Sequence, residues 1–171
     1  MHPGGNLPEL RILDKSKFLR RDDDVRQRIS SQIRTLEQDH GFRIYLVIEP
    51  SFIGSTVQEK ANELRRLWIP DGDGLVVVFE SDSRNLGFGQ DMAGDPGQLE
   101  NPNRVPPHET TAILSRAIGA VDDTPGPEIH LERIMGKIVT GFDSYFLRRE
   151  TPPPMARSVR TALLMVGGLS L

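Results

Sequence analysis

Between Phe42 and Gly89 the hydrophobic and polar positions change period three times, and each change marks an element. Arg43-Ile44-Tyr45-Leu46-Val47-Ile48-Glu49 is a short β-branched, apolar run bounded by Gly41 and Pro50, the pattern of a buried strand. Thr56-Val57-Gln58-Glu59 then matches a capping box, and Val57, Ala61, Leu64 and Trp68 follow at helical spacing, so one face of this helix turns inward. Leu75 to Phe79 is a second apolar run. Strand, crossover helix and strand predict a parallel βαβ unit with a right-handed crossover. Ser81-Asp82-Ser83-Arg84 is short enough only for a hairpin, which sends Asn85 to Phe88 back antiparallel.

Outside this stretch, Asp22-Asp23-Asp24 opens a helix through Val25, Ile29, Ile33 and Leu36 that ends at His40-Gly41. Carboxylates there favour the helix dipole and provide a cap. Residues 90–107 are rich in Gly, Pro and Asn and predict a long connection. A helix follows through Ala112, Leu114 and Ile118, broken at Asp122 to Pro127, and a longer final helix carries Ile134, Ile138, Phe142 and Phe146. The fold class expected is α/β, a three-layer α/β/α sandwich with a small mixed sheet, a βαββ core and flanking helices. The expected organisation is an N-terminal extension over residues 1–21, an α/β domain over 22–149, and a Pro-rich linker with an apolar tail over 150–171. The apolar run from Ala162 is shorter than the roughly 20 residues that span a bilayer, so it reads either as a frayed tail or as a truncated membrane helix.

The order of elements also places the chemistry. The turn with Asp71 and Asp73 enters the second strand of the unit, and Asp91 leaves the hairpin strand, so the three carboxylates are expected on one edge of the sheet. Glu49, Glu80, Asp82 and Arg84 belong to the opposite edge. Three Asp on glycine-rich backbone would suit a hard cation such as Ca²⁺, although Asp and Gly also abound in turns for purely conformational reasons. Arg84 reads either as an anion or phosphate contact, for which its planar fork is suited, or as a solvated hairpin charge.

Other motifs fail. Val76 stands where an EF-hand loop needs Gly, and Gly87-Phe88-Gly89 lacks the third glycine of a dinucleotide loop. His2, His40, His108 and His130 read as solvated surface residues. At 171 residues and 37% hydrophobic content the chain is one domain, able to bury about 70% of its unfolded surface. With no Cys, disulfide and thiolate chemistry are excluded, and a net charge of −3 with scattered basic residues argues against nucleic acid as a partner. The N-terminus shows no signal-peptide pattern.

Taken together, Ile44-Tyr45-Leu46-Val47-Ile48, the helix from Thr56 to Leu67 with Ala61-Asn62-Glu63-Leu64, Trp68, Asp73-Gly74-Leu75-Val76-Val77-Val78, Asp82-Ser83-Arg84 and Gly87-Phe88-Gly89 resemble the TPM-domain family. That family includes thylakoid proteins of photosystem repair, an acetylcholine-receptor modulator and many bacterial envelope proteins. The turn after Trp68 is shorter here than is usual in the family, and Gly72 stands where its acidic residue often sits. The resemblance implies a membrane-associated accessory domain that binds a divalent cation, with Ca²⁺ on Asp71, Asp73 and Asp91, and acts in membrane-complex or envelope maintenance. A membrane or envelope protein complex is the partner it implies, and a membrane tether facing away from the cytoplasm is its location. Two alternatives stand beside it: a weak metal-dependent acid phosphatase, and a metal-free protein-interaction module.

Overall fold

A computed structural model of the chain describes residues 11–19, 23–70, 73–91, 104–121 and 126–150. Among these residues eight elements follow in order: β1 (Ile12–Asp14), α1 (Asp23–His40), β2 (Arg43–Glu49), α2 (Val57–Trp68), β3 (Gly74–Glu80), β4 (Asn85–Gly89), α3 (Pro107–Gly119) and α4 (Pro127–Glu150). The strands form one sheet in the order β1-β2-β3-β4, parallel across the first three and antiparallel at the last.

The period-2 alternation of β2 and β3 divides the core in two. Ile44, Leu46, Ile48, Leu75, Val77 and Phe79 face one side, where α1, α3 and α4 cover them with residues such as Ile29, Ile33, Ile113, Leu131, Ile138 and Phe142. Tyr45, Val47, Val76 and Val78 face the other side and meet Ala61, Leu64 and Trp68 of α2. The layers are therefore helix, sheet, helix, as the sequence predicts. Trp68 is 3% exposed and lies 5.4 Å from the Tyr45 ring, so it is a core residue.

Helix α2 starts where its cap predicts, with the Thr56 hydroxyl accepting from the Glu59 N–H at 3.1 Å. It lies directly on β4. A Cβ at Gly87 would come within 2.4 Å of the Val57 carbonyl oxygen, and one at Gly89 within 2.2 Å of the Ala61 carbonyl oxygen. The Gly87-Phe88-Gly89 pair of glycines therefore serves close helix–strand approach.

Three expectations need correction or bounding. Residues 12–14, assigned above to an N-terminal extension reaching residue 21, are sheet strand β1, and Ile12 and Leu19 are buried in the core. A three-residue strand is too short to show a period, and only pairing with β2 reveals it. His40 is no solvated residue: its side chain is 5% exposed, stacks on Phe146 and meets Asp143 Oδ1 at 2.9 Å. The caps expected from Asp22 and Asp23 lie outside the described side chains. One topological feature was not legible at all. Both crossovers step the same way across the sheet, yet α1 and α2 cover opposite faces, so the two crossovers have opposite hands. One of them departs from the usual right-handed rule.

Candidate functional site

Because β3 and β4 run antiparallel with Val76 opposite Gly89, the residue before β3 and the residues after β4 share one end of the sheet. Asp73 and Asp91 meet there. Asp71 lies outside the described residues. Arg84 is at the other end, in the β3–β4 turn, with φ of 63° and its N–H donating to the Glu80 carbonyl at 2.7 Å. Glu80 joins it there, its carboxylate accepting from the Phe52 N–H at 2.9 Å and from the Ser83 hydroxyl, and these bonds hold its pKa below the usual range, the Ser83 bond foremost.

The carboxylate end also gathers two arginines. The last turn of α2 passes over it and delivers Arg65, and the segment entering α3 delivers Arg104. Asp91 Oδ1 accepts from Arg65 Nη2 at 2.7 Å, and Oδ2 accepts from Arg104 Nη1 at 2.8 Å. The side chains are 7%, 11% and 5% exposed for Arg65, Asp91 and Arg104, so this is a buried ion-pair cluster with both oxygens of one carboxylate engaged. Arg65 reaches further. Its Nε donates to the Gly74 carbonyl at 3.1 Å and its Nη1 to the Ile69 carbonyl, tying the end of α2 to the start of β3 and the exit of β4. Burial lowers the Arg65 pKa from the ordinary arginine value, and Asp91 opposes that shift.

Asp73 completes the arrangement. Its Oδ2 accepts from the Val105 N–H at 3.0 Å, which fastens the approach to α3 onto the sheet. Burial raises the Asp73 pKa, while the Val105 bond lowers it and the nearby Asp91 charge raises it further. Two carboxylates and two guanidiniums thus balance one another in a site withdrawn from water. Such an array is well suited to holding loops in register. A cation at Asp91 would compete with two guanidiniums for the same carboxylate and weaken charge-assisted hydrogen bonds of the strong class. Among the described residues, no three His, Cys, Asp or Glu side chains gather in a group fit for a metal.

Sequence reasoning brought Asp73 and Asp91 together but missed both arginines. Arg65 had a signal: it continues the Val57-Ala61 stripe at i+4, a position that the helical period assigns to the interior. A charge on that line asks for a buried partner. Arg104 had none, since it stands in irregular chain before Val105-Pro106-Pro107.

Comparison with known proteins agrees with this architecture. The N-terminal domain of a protein from P.gingivalis, solved by NMR, matches with a TM-score of 0.61 at 15% identity, over 85% of this chain and 94% of that one. At that identity the likeness concerns the fold. The N-terminal domain of the cg2496 protein from Corynebacterium glutamicum matches with a TM-score of 0.49 at 14% identity, over 77% of this chain and 80% of that one. No curated protein matches the chain. A family model described as TPM domain matches residues 12–94, which begin at β1 and run three residues past Asp91. Through that stretch, which holds the whole sheet and α2, the chain matches the TPM-domain family.

Proposed function

We propose that this TPM domain is a non-catalytic accessory module, acting through protein contacts in the upkeep of a membrane or envelope complex. The observation that carries the metal-free form of this reading is the state of Asp91. Both its oxygens are held by buried guanidiniums, so the carboxylate best placed to ligate a cation already has its counter-charges. The membrane setting, with a tether through the apolar C-terminal run and the domain facing away from the cytoplasm, rests on the family resemblance.

A Ca²⁺ site on Asp71, Asp73 and Asp91 is the competing reading. One observation favours it: Asp73 and Asp91 are near enough for the charge of one to raise the pKa of the other. A metal-dependent phosphatase would further need a free nucleophile, and Asp91 is not free.

Calorimetric titration of Ca²⁺ into the domain, with melting temperature followed in parallel, separates these readings, because a ligand that binds only the folded state raises Tm by mass action. The expected result is neither heat nor a gain in Tm at millimolar Ca²⁺. Saturable binding that Asp73→Asn weakens would overturn the metal-free reading and install the cation site. Hydrolysis of p-nitrophenyl phosphate stimulated by Ca²⁺ or Mg²⁺ would install the phosphatase.

A further inference from the structure

Among the described residues β4 is the outer strand of the sheet, and its sequence has neither charge nor proline to protect an edge. Asn85-Leu86-Gly87-Phe88-Gly89 has no charge and no proline, and all five residues pair regularly with β3 without a bulge. Strands of that kind expose a row of backbone donors and acceptors to which another strand can add.

Among the described residues, one side chain interrupts the row. Gln58, in the first turn of α2, sets its amide alongside Phe88: Nε2 donates to the Phe88 carbonyl at 2.6 Å, and Oε1 accepts from the Phe88 N–H at 3.0 Å. A side-chain amide that both donates to and accepts from one residue reproduces the hydrogen-bonding of a residue in a neighbouring strand. Nε2 also donates to Asn62 Oδ1 at 3.0 Å, one helical turn on, which holds the amide in that orientation. The reach is available because Gly87 and Gly89 let α2 lie against β4.

We infer that Gln58 is an edge guard: its amide occupies the place of an added strand at Phe88 and keeps β4 from pairing with β4 of a second copy. The occupant kept out is a second copy because the edge is self-complementary. Two antiparallel β4 strands related by a two-fold axis would exchange identical donors and acceptors, the usual geometry of a symmetric dimer. The inference concerns the opposite edge of β4 from its β3 partner and does not depend on the Asp73–Asp91 cluster or on the function proposed for it.

Gln58→Ala and Gln58→Met each remove the amide, the second keeping chain length and helix preference. Sedimentation velocity across a concentration series, with circular dichroism to establish folding, reads the outcome. Either folded variant is expected to form a concentration-dependent dimer at least ten-fold more readily than the native chain. Exchange of the Phe88 amide hydrogen should quicken in the variant monomer and slow again in the dimer. A folded variant that associates no more than the native chain overturns the inference. So does dimerisation that leaves the Phe88 amide in fast exchange, since the contact would then lie elsewhere. Failure of both variants to fold would also overturn it, making Gln58 a strut of the fold rather than a guard.

Discussion

The two ends of the sheet both carry charge, and they handle it differently. At the Glu80 end, Lys15 meets Glu49 at 2.7 Å with the two side chains 51% and 14% exposed, and Glu80 accepts from the Phe52 N–H and the Ser83 hydroxyl. At the Asp91 end, two arginines and one aspartate are almost wholly withdrawn from water and reach between α2, β3, β4 and the approach to α3. Water can stand in for a lost partner at the first end and cannot at the second. The same kind of ion pair is therefore a minor surface contact in one place and an obligation in the other.

The largest expected effect tests that obligation. Asp91→Ala removes the carboxylate that two buried guanidiniums share and should destabilise the domain by about 3–5 kcal/mol, measured by urea unfolding. A loss below about 1 kcal/mol, as at exposed pairs, would erase the distinction between the ends.

A smaller effect follows from Asp73. Burial raises its pKa, so the folded protein holds that proton more tightly than the unfolded chain does. Stability linked to the proton is present below the ordinary aspartate value and is lost as pH rises through the raised folded value. Asp73→Asn keeps an acceptor for the Val105 N–H without titrating. The stability of the native chain relative to Asp73→Asn should therefore decline as pH rises through that window, and a flat difference between acid and neutral pH would show that burial does not penalise the ionised form.

The smallest effect belongs to the other end. Lys15→Ala should change stability by less than about 1 kcal/mol, and added salt should abolish even that. The Asp91→Ala loss should persist in the same salt, because buried pairs are screened far less. Equal salt sensitivity at both ends would contradict the contrast.

Much of the architecture could be read along the chain. β2 and α2 occur where their periods and the Thr56 cap place them, and the hairpin turn sends β4 back so that Asp73 and Asp91 share an end. Period and capping are local properties of the backbone, expressed within a few residues of their cause. What the local pattern could not supply is who meets whom. β1 exists because residues far along the chain offer it a paired edge, and His40 is buried because α4 brings Phe146 and Asp143 against it. The charge of Asp91 is spoken for by Arg65, 26 positions away, and by Arg104, 13 positions away across irregular chain. By itself, then, the sequence determined the alternation that splits the core into two faces, the helices that cover them and the edge on which Asp73 and Asp91 lie. The tertiary structure alone decided that this edge would hold two guanidiniums, because counter-charge in a site without water is set by which loops converge in space, and spacing along the chain does not encode that convergence.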